Sequence, residues 1–202
     1  MLTFDEPTHT YKYAGEELVS VTQVIGQAFN TYGFMQQTEQ GRAELEKAAA
    51  FGRSVHSMCE MHLLGTLDED ALDPLLLPYL EGFKKFVVQV LSVHTGVVVE
   101  QKTYSEKLMF AGTADIVTDT AVFDIKTRAY NKTTDPLQLA AYDRLFGGNG
   151  NSLQHFVVEI LPDDYRLTKC NNANAWPVFK TLLDNYWQNK KIETLIKNWK
   201  ER

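Results

Sequence analysis

The stretch Gly112–Thr127, GTADIVTDTAVFDIKT, decides how the rest of the chain is read. Two short runs rich in Ala, Val, Ile, Thr and Phe flank a polar Thr118-Asp119-Thr120 centre, the pattern of an antiparallel hairpin closed by a tight turn. With Asp119 and Thr120 as a two-residue loop, 117 pairs with 122 and 116 with 123, and Asp115 is expected directly opposite Asp124, with Lys126 on their face. Opposed residues have Cβ atoms about 4.5–5.5 Å apart, and like charges there are destabilising. Two carboxylates and an ammonium in an otherwise apolar strand pair therefore need a cause, and a divalent cation between the carboxylates is the simplest.

On the N-terminal side, Val97-Val98-Val99 starts a strand through Glu100 to about Tyr104. Before it, 79–93 is amphipathic, with Leu80, Phe83, Val87, Val90 and Leu91 inside, and 67–78 reads as a loop or broken helix. The segment Glu39–Leu64 combines strong helix formers with apolar positions at Leu45, Ala48, Val55, Met58, Cys59 and Leu63, interrupted by Gly52. Gly52, His56 and Glu60 share one helical face. Ser20-Val21-Thr22-Gln23 is a capping-box spelling for a short helix, and the preceding Leu2–Leu18 reads as a small hairpin turning at Gly15. On the C-terminal side, Thr134-Asp135-Pro136 starts a helix ending at Gly147-Gly148. Strands are expected over 153–161 and 165–169, then a long helix over 174–202. The order predicts an α/β (α+β) chain with a central mixed sheet flanked by helices.

At 202 residues and 44% hydrophobic, one domain is expected over 1–202. It divides into an N-terminal hairpin and short helix (1–38), a core (39–170) and a C-terminal helix (171–202). The first residues lack a basic region followed by an apolar one, and no run approaches about 18 apolar residues, so neither signal peptide nor membrane span is expected and the protein is placed in the cytoplasm. Cys59 and Cys170 stand far apart with no CxxC, which gives two reduced structural thiols and no zinc or cysteine-ligated cluster within one chain. A net charge of −6 argues against coating nucleic acid by bulk electrostatics. No glycine-rich phosphate loop is present, so no nucleotide cofactor is expected.

Read together, His56, Asp115, Asp124-Ile125-Lys126 and Gln138 to Tyr142 resemble the PD-(D/E)xK nuclease superfamily. The likeness is to its RecB-like branch, which includes phage exonucleases, the mitochondrial genome maintenance exonuclease and the nucleases of CRISPR adaptation. The resemblance covers about Gly52 to Tyr142, and YKYAGEELVSVTQVI is similar to the opening of phage members. It implies a restriction-endonuclease-like core, with His56, Asp115 and Asp124 as metal ligands and the Ile125 backbone carbonyl as a further one. Lys126 takes the place of the family lysine, and Gln138 and Tyr142 the place of its Gln-x-x-x-Tyr motif on the substrate side. Glu100 matches a glutamate common in the branch and is a further ligand candidate. Members with an iron–sulfur cluster use four cysteines, and with two this chain falls in the cluster-free group.

These residue types also make chemical sense together. Phosphodiester hydrolysis needs an activated water, neutralised phosphate charge and help for the leaving oxygen. Carboxylates suit Mg²⁺, and an imidazole ligand adds Mn²⁺. Lys126 can position the attacking water or stabilise developing charge, with Asp115, Asp124 and Lys126 as the catalytic set. Arg53, Arg128 and Lys132 are candidate phosphate contacts from their nearness to the motifs. The expectation is a metal-dependent DNA exonuclease of phage type, in recombination, replication or repair, with DNA and recombination or replication proteins as partners. The alternatives are a structure-specific endonuclease and a non-catalytic nucleic-acid-binding subunit.

Overall fold

The computed structural model of the chain describes residues 1–5, 10–29, 37–147 and 152–200. In chain order its elements are β1 (Leu2–Asp5), β2 (Thr10–Tyr13), β3 (Glu16–Ser20), α1 (Val21–Ala28), α2 (Glu39–Leu64) and α3 (Leu77–Gln89). After a 3₁₀ turn at Leu91–Val93 follow β4 (Val98–Ser105), β5 (Phe110–Val117), β6 (Ala121–Lys126), α4 (Asp135–Phe146), β7 (Gln154–Leu161), β8 (Asp164–Lys169) and α5 (Ala175–Lys200). Gly148, residues 201–202 of the expected 174–202 helix and parts of 1–38 lie outside the described residues.

Local chemistry explains several boundaries. The capping box forms as spelled: Ser20 Oγ accepts the Gln23 N–H at 3.1 Å, and Gln23 Oε1 accepts the Ser20 N–H at 2.8 Å. Thr38 caps α2 through the Gly41 N–H at 3.0 Å, and Gly65 ends it in the left-handed region at φ 69°. Gly52 does not break α2, because a Cβ there would make only an ordinary 3.6 Å contact with Thr127 Oγ1. At the start of α4 the Thr134 side chain makes no cap. Asn131 instead accepts the Thr133 and Thr134 N–H groups, while Asp135 accepts the Asn131 N–H at 2.7 Å.

Among the described residues the eight strands form one mixed sheet. β6 runs parallel to β7, and β3 runs parallel to the start of β5; the other pairings are antiparallel. One edge of β5 is paired with β4 from Val117 to Phe110. Its other edge is shared: β6 takes only Ile116 and Val117, β3 takes only Phe110 and Ala111, and Gly112–Asp115 lie in the fork between them.

The expected register holds at 116↔123 and 117↔122, with the Thr118 N–H bonded to the Ala121 carbonyl. The expected direct pairing of Asp115 with Asp124 does not form. The two strands diverge there, because β5 must leave β6 to reach β3.

Alternation along the strands builds a core on each face. On one face, Val122 and Val157 pack under α1, α4 and α5 through Val24, Ile25, Leu139, Phe179 and Leu183. On the other, Phe123, Ile125, Val158 and Ile160 pack under α2 and α3 through Val55, Met58, Leu80, Phe83 and Phe86. A third cluster joins Tyr11 and Leu18 of the N-terminal strands to Ala111, with Phe4, Tyr13 and Tyr104 around it. Each fully buried large side chain contributes about 1.5–3 kcal/mol relative to exposure, ample to hold a fork that carries converging carboxylates. Cys59 and Cys170 are free and buried, in the cores of opposite faces.

Candidate active site

The fork in β5 opens into a cleft of about 820 Å³, walled by α2, the start of α1, β4, β6 and α4. Gln138, Tyr142 and Arg53 line it, together with His56, Glu100, Asp115, Asp124 and Lys126. Arg128 and Lys132 do not line it. Lys132 is exposed, and Arg128 grips the fully buried Asp135 with Nη2 at 2.6 Å and Nη1 at 3.1 Å.

Asp115 sits where β5 parts from β6, and its carboxylate fills the gap. Oδ2 accepts the Ile125 N–H at 2.6 Å, while Oδ1 lies 3.2 Å from His56 Nδ1 on α2. On the other edge of β5, Glu100 falls between the β4–β5 pairs 99↔116 and 101↔114, level with Asp115. Glu100 itself has φ 48°, a left-handed conformation that costs a non-glycine residue about 1–2 kcal/mol. His56, Glu100 and Asp115 each offer a ligand atom, all within 4.8 Å of one another.

Asp124 is 1% exposed. Its Oδ1 accepts from Gln138 Nε2 at 3.1 Å. Its Oδ2 lies 2.7 Å from Lys126 Nζ, a buried ion pair. The Gln138 amide is a hub, taking Lys126 Nζ on Oε1 at 3.3 Å and giving Nε2 to both Asp124 and the Tyr142 hydroxyl, the latter at 3.1 Å. Gly112 makes room for Tyr142, since a Cβ there would stand 2.8 Å from Tyr142 Cε1 and 3.1 Å from Val21 Cγ2.

The electrostatics follow from burial of opposite and like charges. Burial disfavours a charge on His56, but the adjacent Asp115 carboxylate outweighs it and raises the imidazole to about 9. Burial likewise works against an ionised Asp115, yet His56 and Lys126 hold it below the usual carboxylate range. Burial raises Asp124 to about 6 against the pull of Lys126, and burial with the Asp115 charge raises Glu100 to about 7. Lys126 loses solvent but gains Asp124 and Asp115, and its ammonium is held above its ordinary value.

Several residues lining the cleft carry no motif. Ser20 and Thr22 at the start of α1, Lys102 on β4, and Tyr11, whose hydroxyl bonds Thr113 Oγ1 at 2.7 Å, all face it. The signals in the sequence were the capping box at Ser20 and the resemblance noted over 11–25, which covers Tyr11, Ser20 and Thr22; neither says what that helix start faces, and Lys102 had none.

No family model matches the chain, and no curated protein matches it. Among solved structures it is similar to an alkaline exonuclease from Laribacter hongkongensis, with a TM-score of 0.52 and 14% identity, over 91% of this chain and 94% of that one. It is also similar to a protein of Eubacterium rectale provisionally described as an exonuclease, with a TM-score of 0.50 and 13% identity, over 85% and 79% of the two chains. At these identities the likeness is one of fold. What is shared is the architecture, a mixed sheet between helices.

Proposed function

We propose that the chain is a metal-dependent nuclease that hydrolyses DNA phosphodiesters from an end. The observation that carries this reading is the convergence, at one fork in a strand, of Asp115, Asp124 and Lys126 with His56 and Glu100. The donors fit a divalent cation: three ligand atoms lie within 4.8 Å of one another, and the neighbouring Asp124 carboxylate is buried beside them, with Lys126 Nζ 2.7 Å from its Oδ2. His56, Glu100, Asp115 and Asp124 would hold the ion, with the Ile125 carbonyl beside them. A bound Mg²⁺ or Mn²⁺ supplies Lewis-acid polarisation of a phosphoryl oxygen and makes water a stronger acid.

The chain's own groups do the rest. Lys126, held against Asp124, presents a cation to the charge that accumulates on the phosphate. Gln138 fixes Lys126 and Asp124 relative to each other through its two amide ends, and Tyr142 fixes Gln138. Arg53, at the rim, is placed to meet a phosphate outside the reacting one. The two thiols are separated by the sheet, which supports a centre without an iron–sulfur cluster. No element of the reading calls for a nucleotide cofactor.

Residues 1–202 then act as one nuclease domain in the cytoplasm, in recombination, replication or repair of the phage type, alongside proteins of those processes. What favours exonuclease over endonuclease action in this reading is that both neighbours in fold are described as exonucleases. The test is digestion of end-labelled linear DNA and covalently closed circular DNA with Mg²⁺ or Mn²⁺, by the native chain and by folded Asp124→Asn and Lys126→Ala variants. Release of nucleotides from linear DNA only, lost in both variants, is expected. Retained cleavage in both variants refutes the site, cutting of the closed circle replaces the reading with an endonuclease, and binding without cleavage under any cation replaces it with a non-catalytic subunit.

A further inference from the structure

Among the described residues, 188–200 of α5 are all exposed. The buried residues of this helix are Ala175, Phe179 and Leu183, all in its first half. Beyond Trp187, the exposed Ile192, Leu195, Ile196 and Trp199 follow one another at i, i+3, i+4 and i+7, a single apolar stripe, and Trp199 is 79% exposed. The stripe is flanked by Lys190, Lys191, Lys197 and Lys200, with Glu193 the one acid from 188 to 200. A stripe of this length without a cover is the pattern of a surface made for a partner.

The complementary surface is on the same chain, on the far side of the sheet. Between α2 and α3, Asp68, Glu69, Asp70 and Asp73 are exposed, and around them stand the exposed Leu64, Leu75 and Leu77, with Leu75 at 73%. No lysine or arginine occurs from 54 to 83; Lys84 on α3 pairs with Glu69 at 2.8 Å, which leaves Asp68, Asp70 and Asp73 as the acids of the patch. α5 covers one face of the sheet while α2 and α3 cover the other, so stripe and acidic patch cannot meet within one molecule. Two α5 stripes facing each other would oppose lysine to lysine.

We propose that the α5 stripe of one copy docks on the acidic, leucine-bearing α2–α3 segment of a second copy. The contact is head-to-tail, because its two halves are different surfaces, and it propagates into a ring if the rotation closes and an open chain if it does not. It uses no residue of the cleft and stands apart from the nuclease reading.

The test is sedimentation of the full chain up to about 1 mM, a range that captures weak association, at low and high salt. The expected result is concentration-dependent assembly weakened by salt. Lys197→Glu and Asp70→Lys should each weaken it about tenfold or more; the chain carrying both changes should regain assembly, because reversed stripe then meets reversed patch, and a mixture of the two single variants should form a pair through the unmodified stripe of one and the unmodified patch of the other. Leu195→Glu, at an exposed position that leaves the fold intact by circular dichroism, should give a monomer. A monomer throughout the range overturns the proposal. So does assembly that Asp70→Lys leaves unchanged, or a solution monomer that binds anionic vesicles through α5.

Discussion

The Asp115 carboxylate stands in for a backbone carbonyl: its Oδ2 accepts the Ile125 N–H at 2.6 Å, a bond that a continuing antiparallel ladder would have given to Ala114. The residue is thus both a ligand candidate and the plug of a broken ladder. Asp115→Ala should cost about 1–3 kcal/mol, the penalty of an unsatisfied buried amide, as well as cation binding. Asp115→Asn, which keeps an acceptor, should unfold in urea near the native midpoint yet bind Mn²⁺ poorly by calorimetry. Equal stability losses in both variants would show that the plug does not depend on the acceptor.

Glu100 combines a left-handed backbone at φ 48° with a ligand atom at the site. Glu100→Gly should therefore raise stability of the cation-free protein by about 1 kcal/mol while weakening Mn²⁺ binding. Glu100→Gln should weaken binding without the backbone gain. Thermal melts with a chelator and with Mn²⁺ separate the two effects.

The cation-free site should lose stability as pH rises. Asp124 at about 6, Glu100 at about 7 and His56 at about 9 all lie above their ordinary values, so the folded state holds their protons more tightly than the unfolded chain. The contribution of each is complete below its unfolded value and is lost through its folded one. The decline thus runs from about pH 4 to about pH 9, while the lowered Asp115 acts in the other sense only in acid, its contribution vanishing as pH falls through its folded value. Cation binding should become tighter over the same window and release protons. Chelated-protein melts against pH, and calorimetry in buffers of different ionisation enthalpy, measure these slopes; a flat melt profile contradicts the assignment.

Gly112→Ala should act through Tyr142. The added methyl meets the ring at 2.8 Å, so the ring must move and its hydroxyl must leave Gln138. Overpacking of this kind costs about 1–3 kcal/mol, and a displaced Gln138 should lower kcat by about tenfold to a hundredfold. Tyr142→Phe, which loses the hydroxyl but not the ring, should lower kcat less and leave the melt nearly unchanged.

Arg128→Ala distinguishes a phosphate contact from a structural brace. Its guanidinium serves the fully buried Asp135 at the start of α4, so the variant should lose about 1–3 kcal/mol and keep its affinity for DNA. Arg53→Ala, at the rim of the cleft, should do the opposite and flatten the salt dependence of binding.

Much of this was legible in the residues. Alternation and turn chemistry gave the hairpin through 116↔123, and Ser20 and Gln23 spelled the cap that forms. Helical spacing put His56 on the face of α2 that meets Asp115. Illegible was everything that depends on β5 being shared between two partners. No periodicity reveals that Gly112–Asp115 lie in a fork, or that Glu100 leaves the regular strand conformation. Arg128 looked like a phosphate contact because nearness in sequence does not show which carboxylate is buried beside it. Ile192 and Leu195 read as helix positions, and only packing shows that this end of α5 has nothing to cover.

His56 comes from a helix seated on one core, and Gln138 and Tyr142 from a helix seated on the other. A chain with a single core consolidated would lack either His56 or the Gln138–Tyr142 pair. The site is a coincidence detector for folding: it is completed only when both halves of the molecule are in place, so under the proposed function a nascent or partly unravelled chain would be chemically silent toward nucleic acid.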